Sequence, residues 1–293
     1  MGAIMLAGLF LALLGTMGWG GAQAFHTFGW PFLWGVEWNP ALHRFAALVP
    51  IYGTLMTSLI AMLVAVPVSF GIAVFVTELA PLWLRAPFGG AIQLLAGIPS
   101  IVYGMWGLYA FVPLMARYVQ PWMIAHLGRL PVLGGLFQGV PMGIGVLTAG
   151  LILAVMVVPF ITAVMSDVFQ TVPPALKEAS IAVGSTTWET LWHVVLPSTR
   201  VGVMGGVFLG LGRALGETMA VTFVLGNTDR LSLSLMEPGN SIAAAIANQF
   251  SEADSDLYRS ALIALGLLLF AITFMVLAAA RLMLRSMARA RGA

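Results

Sequence analysis

The sequence has 293 residues, of which 60% are hydrophobic and only 8% are charged, and its net charge is +2. A soluble domain carries about 25% charged residues, so this composition excludes a soluble protein and predicts an integral membrane protein embedded in lipid. The absence of cysteine excludes disulfides and thiolate metal sites, and the small net charge predicts no nucleic-acid-binding surface.

Six apolar runs are long enough to cross a bilayer as helices. They are residues 3–21, 52–76, 88–115, 142–166, 201–226 and 258–280. A cleavage-like Ala22-Gln23-Ala24 follows the first run, but no basic segment precedes it, so we expect an uncleaved helix. In the loop at 25–50, Trp30, Trp34 and Trp38 recur every four residues. This spacing favours an interfacial aromatic belt over a binding site.

Two prolines interrupt the earlier runs. Pro67 is expected to break the second run, and Gly97-Ile98-Pro99-Ser100 interrupts the third. Broken helices line cavities in transporters, although a kink packed against its neighbours is the commoner outcome. Pro99 and Ser100 are therefore candidates for lining a path.

The fifth run carries two charges, Arg213 and Glu217. A charge near the middle of a span costs about 2.5–3.5 kcal/mol, so something must offset it. In a continuous helix the two residues share a face, which also carries Gly202, Gly206 and Gly210. One interpretation is a glycine packing stripe with a structural ion pair. The interpretation we favour is a polar spot on a substrate path.

The polar segment at 167–200 predicts an elbow of two short helices. Pro173-Pro174 begins the first helix, which runs to Val183 and ends at Gly184. Thr186 and Glu189 form a capping box for the second, which we expect to end at Pro197. Such an elbow either docks in a groove of another protein or rests on the membrane surface. In the later loop at 227–257, Asn240 or Ser241 is expected to cap a helix through Gln249.

Six spans place both termini on one side, and the Arg and Lys bias predicts that this side is the cytoplasm. The inner segments then hold Arg85, Lys177, Arg200, Arg281, Arg285, Arg289 and Arg291. The outer loops hold five basic residues and the acidic group Glu252, Asp254 and Asp256.

The elbow also carries a family pattern. It consists of Glu178-Ala179-Ser180, then Gly184, then nine residues before Val194-Val195-Leu196-Pro197. This resembles the EAA signature of ABC importer permeases, with Ser180 in place of the usual third alanine. The resemblance implies that the elbow is a coupling helix that docks on an ATP-binding subunit.

Further stretches resemble the phosphate permease subunits of these importers, from about residue 32 to the C-terminus. They are LVPIYGTLMTS, PVSFGIAVFVTELAP, AGIPSIVYGMWGL, GLGRALGETMAVTFVLGN and PGNSIAAAIANQF. The resemblance implies an all-α integral membrane protein of six transmembrane helices in the bacterial inner membrane, with the type I ABC importer (MetI-like) permease fold. It also implies that Arg213 and Glu217 take part in phosphate passage.

The same resemblance implies the partners and the domains. The partners are a PstA-like sister permease, two PstB-like ATP-binding subunits and a periplasmic PstS-like phosphate-binding protein. The domains are residues 1–50 with the first span and an aromatic periplasmic loop, 51–282 as the permease domain with a coupling loop at 167–200, and 283–293 as a basic cytoplasmic tail. The resemblance also implies that ATP and Mg²⁺ are bound by the partner, and this chain itself has no GxxxxGK[ST] loop that could hold ATP.

Three alternatives remain open on the sequence. A permease for another oxyanion, such as sulfate or molybdate, would carry the same elbow. A membrane-embedded hydrolase would need a base near Ser100, and the sequence reveals none. A stand-alone channel or secondary carrier would not need the elbow. No catalytic residue or metal site is predicted, because the four histidines are isolated.

Overall fold

The computed structural model describes residues 1–131 and 134–289, and the regular structure of this part is helical, without β-strands. The α-helices are α1 (Gly2–Phe28), α2 (Pro31–Trp34), α3 (Leu48–Val74), α4 (Leu82–Ala96), α5 (Ser100–Trp106), α6 (Val112–Leu114), α7 (Gln120–His126), α8 (Val146–Gln170), α9 (Pro174–Ala182), α10 (Thr187–Thr190), α11 (Leu196–Leu215), α12 (Met219–Leu225), α13 (Ile242–Gln249) and α14 (Asp256–Arg289). Arg291 lies outside the described residues, as do the side chains of Arg285 and Arg289.

Five helical stretches of the described part are long and apolar enough to cross a membrane. They are Ile4–Phe28, Leu48–Leu79, Val146–Gln170, Thr187–Leu215 and Asp256–Leu284. The predicted third span is instead a pair of helices, Leu82–Ala96 and Ser100–His126, bent by 89° at the Gly97–Pro99 break. Counting the pair as one span gives the predicted six. The loop expected from Arg117 begins only after His126.

The most enclosed helix is α8, around which the larger hydrophobic core forms. Buried residues follow one another along its length, among them Ile152, Val157, Ile161 and Met165. The helices α3, α4, α11 and α12 pack against it. A second core lies where α1 and α13 meet α14. There the backbone N–H of Ala24 donates to Ser260 Oγ over 3.0 Å, so the cleavage-like residues sit inside a packed helix.

The prediction that Pro67 breaks the second span is wrong. The helix α3 continues through Pro67, as α8 does through Pro159. One proline removes a single backbone hydrogen bond, and close packing of the two helices compensates for it. The Ser69 hydroxyl donates to the Val158 carbonyl over 3.0 Å, and a Cβ on Gly150 would lie 2.7 Å from Ile60.

The predicted bounds of the fifth span are also wrong. The helix begins at Thr187, passes through Pro197 and ends at Leu215. A π turn over Leu191–Val195 ends two residues before Pro197, and this wider turn makes room for the proline ring. The chain then breaks before the short α12, which Gly226 ends with φ of +95°.

Two predictions about the loops have mixed outcomes. Ser241 caps α13, as predicted, because its side chain accepts from the Ala244 N–H over 3.2 Å. In the aromatic loop, Trp30 and Trp34 are exposed, as in a belt. Trp38 is instead buried, and its indole N–H donates to Gln249 Oε1 over 2.7 Å. It therefore belongs to the second core.

Candidate functional site

The glycines of the fifth span form its contact with α8. A Cβ added at Gly202 would lie 2.7 Å from Val168, and one at Gly206 would lie 3.0 Å from Val164. One at Gly210 would lie 2.5 Å from Ile161. The three glycines therefore let two backbones approach closely, as the packing interpretation expects.

Arg213 lies in the last turn of α11, at the far end of this stripe. Its guanidinium carbon is 5.5 Å from the centroid of the Phe160 ring on α8, which partly offsets the buried charge. Its Nε is buried and has no hydrogen-bond partner in the described part of the chain. The phenol of Tyr103 on α5 is close enough to interact electrostatically with the Arg213 guanidinium. The side chain thus keeps donors available in a half-buried position.

Glu217 is not on the same helix as Arg213. The expectation that the pair shares a helical face is wrong, because α11 ends at Leu215. The Glu217 carboxylate accepts from the Ala220 N–H over 3.2 Å and so caps α12. No N–O distance of 4.0 Å or less joins Arg213 and Glu217, so the two do not form an ion pair.

The two broken segments lie side by side. The helix α5 follows the Gly97–Pro99 break, and α12 follows the break after Leu215. They touch at Gly104, where an added Cβ would lie 3.0 Å from Cα of Ala220. The Tyr103 hydroxyl spans the first break by donating to the Leu95 carbonyl over 2.9 Å. The fold therefore brings Pro99 and Ser100 into the region of Arg213 and Glu217.

The elbow has the predicted turn and capping box, but the prediction that its second helix ends at Pro197 is wrong, because that helix continues to Leu215. Gly184 has φ of +99°, a left-handed conformation that favours glycine, and it separates α9 from α10. Both hydrogen bonds of the Thr186–Glu189 capping box are present. The Ser180 and Thr190 hydroxyls are 3.0 Å apart and tie the two arms together.

The surface of the elbow is open and partly apolar. No residue of α9 is buried, so Glu178 and Ala179 are accessible. Large apolar side chains project beside them, namely Leu176, Ile181, Val183 and Trp188. Leu196 and Pro197 are placed differently, at the start of α11 beyond the π turn. An exposed apolar patch of this kind marks an interaction surface.

Sequence reasoning missed two polar clusters that the tertiary structure assembles. Near the elbow, Lys177 pairs with Glu78 from a position 99 residues away. In the loop after α12, Asn240 donates to the Asp229 carboxylate over 2.6 Å. Burial raises the pKa of Asp229, and hydrogen bonds from Asn240 and Gln249 oppose that rise. No local motif signals either cluster, since their members are distant in sequence.

Within the described ranges, no group of three or more His, Cys, Asp or Glu side chains could hold a metal ion. The Ser100 hydroxyl makes no hydrogen bond to another described side chain. The chemistry of the region around the breaks is therefore that of a guanidinium, a carboxylate and hydroxyl groups.

Comparison with known proteins decides the family. The sequence model of the binding-protein-dependent transport system inner membrane component matches residues 51–289. The chain belongs to this family. It is thus a component of the inner membrane that works with a substrate-binding protein and an ATPase.

Relatives of this permease extend over nearly the whole chain. It is 59% identical to the phosphate transport system permease protein PstC of Xylella fastidiosa strain 9a5c, over 99% of this chain and 89% of the relative. It is 56% identical to PstC of Pasteurella multocida, over 99% and 90%. A probable PstC of Methanocaldococcus jannaschii is 35% identical over 92% and 85%.

Solved structures confirm the fold of this permease. An inward-facing form of the MetNI methionine ABC transporter superposes with a TM-score of 0.60 at 15% identity, covering 82% of this chain and 95% of that one. The bacterial alginate ABC transporter with its pentasaccharide-bound periplasmic protein gives 0.63 at 17% identity, covering 97% and 93%. The all-α, type I ABC importer fold is therefore confirmed.

Proposed function

We propose that this chain is the permease subunit of an ATP-driven phosphate importer, and that it forms the transmembrane path with a sister permease. The observation that carries the proposal is the identity of 52–59% with bacterial PstC proteins over 99% of the chain. The importer fold and the open elbow agree with it. A permease for another oxyanion, such as sulfate or molybdate, would have the same architecture, so transport selectivity distinguishes it from a phosphate permease.

Arg213 is proposed to bind phosphate during passage. A guanidinium offers a planar fork of donors that matches two phosphate oxygens. Its buried Nε lacks a hydrogen-bond partner, and Phe160 stabilises only the face of the cation. An anion entering beside the broken helices would complete the coordination of this group. Pro99 and Ser100 would line the same path, with the Ser100 hydroxyl as a further donor.

Glu217 is proposed to select among oxyanions. Its carboxylate can accept a hydrogen bond from the O–H of hydrogen phosphate. Sulfate carries no such proton at neutral pH, so the same carboxylate repels it. Its bond to the Ala220 N–H occupies one oxygen and leaves the other available.

The elbow is proposed to couple transport to ATP hydrolysis. The exposed patch around Ala179 and Ile181 would enter a groove of a PstB-like subunit, which binds ATP and Mg²⁺. Two such subunits, a PstA-like sister permease and a periplasmic PstS-like protein would complete the importer. Both termini would then be cytoplasmic, and the loop after α12 would face the binding protein.

The experiment is uptake of labelled phosphate by the complete importer in lipid vesicles with internal ATP. The parent should take up phosphate in preference to sulfate and molybdate. Arg213→Ala should abolish uptake, and Arg213→Lys should remain poor because it loses the fork. Arg44→Ala, which alters an exposed ion pair, is the matched control and should leave uptake unchanged. Equal uptake by the Arg213→Ala importer would refute the role of this residue.

Selectivity is tested with Glu217→Gln. Release of labelled phosphate or sulfate from pre-loaded vesicles bypasses the selectivity of the binding protein. The variant should retain phosphate release and narrow the gap between the two anions. If it excludes sulfate as strongly as the parent, Glu217 is only the cap of α12.

A further inference from the structure

One ion pair joins the first arm of the elbow to the end of the second span. Lys177 lies on α9, and Glu78 lies in the π turn Phe75–Leu79 that completes the span. Lys177 Nζ is 2.6 Å from Glu78 Oε1, and the side chains are only 21% and 10% exposed. By contrast, the side chains of the Arg44–Glu37 pair are 66% and 48% exposed. A short, charge-assisted bond between largely buried groups is the firmer of the two.

The ion pair lines a cavity and does not lie in a packed interface between α9 and the second span. A cavity of about 430 Å³ lies beside it, between the elbow and the ends of the spans. Its walls include Thr77, Gln170, Val172, Pro174 and Ile181. No residue of α9 is buried, so close packing does not hold this arm against the second span. The cavity leaves α9 room to move, while the ion pair keeps it attached.

The elbow reaches the fifth span by a different route. The arm α9 lies against α10 and the π turn Leu191–Val195, and Ser180 meets Thr190 at 3.0 Å. From Thr187 the helix is continuous to Leu215 and carries Arg213 in its last turn. Displacement of the elbow therefore passes to the fifth span along the backbone. The polar contact from α9 to the second span in the described part is Lys177–Glu78.

We propose that the Lys177–Glu78 pair makes the second span move with the fifth when the elbow is displaced. Lys177 and Glu78 are then positioning residues for transport, an assignment that rests on the proposed function as an ATP-driven importer. Both attachments of the elbow meet π turns, which often occur at functional sites. Without the pair, the elbow still moves the helix of Arg213, but α3 follows only through packing, by way of α11 and the contact between the Phe70 and Trp192 rings. Less phosphate then crosses for each ATP hydrolysed.

The test measures phosphate transported per ATP hydrolysed by the complete importer in vesicles. Lys177→Glu and Glu78→Lys alone should each lower this ratio about fivefold or more. The double variant Lys177→Glu with Glu78→Lys should restore it, since the charges attract again. The matched control is Arg44→Glu in the exposed pair, which should keep the parent ratio. Parent ratios in the single variants, or a double variant as low as the singles, would overturn the proposal.

A second variant keeps the test valid if the charge variants do not assemble. The chain has no cysteine, so Lys177→Cys with Glu78→Cys introduces the chain's only thiols. A reducible bis-thiosulfonate spacer can then replace the ion pair by a covalent link. The linked importer should keep the parent ratio, and reduction of the same sample should lower it, whereas the parent treated identically should not change. An unchanged ratio after reduction would overturn the proposal, while a parent without phosphate-dependent ATP hydrolysis would instead refute the proposed function.

Discussion

Four charged side chains within the described residues show, in three arrangements, how a chain with few charges accommodates those it buries wholly or in part. Arg213 lies over the Phe160 ring, and Lys177 pairs with Glu78. Asp229 has no cationic partner within 4.0 Å, but it accepts a hydrogen bond from Asn240. Each arrangement limits the cost of desolvation in a different way.

Stability should depend on pH through Asp229. Burial raises its native pKa above the ordinary value of about 3.9, so the folded protein holds this proton more tightly than the unfolded chain. The stabilising contribution is complete below that ordinary value and is lost as pH rises through the raised native pKa. Asp229→Asn should remove this slope from the thermal midpoint of the detergent-solubilised protein. The control Asp254→Asn changes an exposed carboxylate and should retain the pH dependence of the midpoint. A pH dependence that persists in Asp229→Asn would show that Asp229 is not its source.

Among the helices, close contacts depend on those glycines that lie against the backbone or a branched side chain of a neighbouring helix. Gly210 lies against Ile161, whereas Gly205 on the same helix has nothing within 4 Å of an added Cβ. Gly184 also has open space around it, so its requirement comes from φ of +99° alone. Substitutions can therefore test helix packing at Gly210 separately from backbone conformation at Gly184.

Gly210→Ala should destabilise the protein, because the new methyl would lie 2.5 Å from the side chain of Ile161. Overpacking of this kind costs about 1–3 kcal/mol. Gly205→Ala is the matched control on the same helix and should be neutral or slightly stabilising. Thermal unfolding of the purified chain compares the two directly. Equal midpoints would show that α11 and α8 do not pack as described.

The elbow should be sensitive to backbone conformation at Gly184. A β-branched residue in the left-handed region costs about 1–2 kcal/mol, so Gly184→Val should change the angle between α9 and α10. We expect ATP hydrolysis stimulated by the loaded binding protein to fall while the permease still inserts. Gly184→Asn, which tolerates this conformation, should retain most of the stimulation. Full stimulation in Gly184→Val would exclude the elbow as a conformationally constrained coupling element.

At the scale of the whole molecule, one helix connects the two candidate regions. The stretch Thr187–Leu215 has 29 residues and a length of roughly 40 Å. Its first turn belongs to the elbow, and its last turn carries Arg213. A rigid helix with these two ends can carry displacement of the elbow to the region of the broken helices.

Orientation in the membrane can be tested on the same chain. With the elbow in the cytoplasm, a cysteine at Asp254 should react with an impermeant thiol reagent from outside intact cells. A cysteine at Val183, which is 88% exposed at the tip of the elbow, should react only in inside-out vesicles. The natural lack of cysteine removes background labelling of this chain. The opposite pattern would reverse the proposed topology.

The sequence alone determined the features that depend on neighbours along the chain. Apolar runs predicted the membrane spans. Thr186 and Glu189 predicted the cap of α10, and Ser241 predicted the cap of α13, because a cap forms within three residues. Gly184 predicted the turn of the elbow from the conformational freedom of a single residue. The similarity to phosphate permeases likewise rested on contiguous motifs.

Only the tertiary structure decided the features that depend on contacts between distant segments. Trp38 matches the spacing of a surface belt, yet packing against Phe45 and Tyr258 buries it. The helix α3 continues through Pro67 because α8 packs against it. The predicted fifth span, residues 201–226, instead breaks after Leu215 and does not form one helix. Hydropathy cannot distinguish these cases, since it sums the residues of one segment and contains no term for its neighbours. The break after Leu215 separates Glu217 from the face of Arg213, and folding alone brings Lys177 to Glu78.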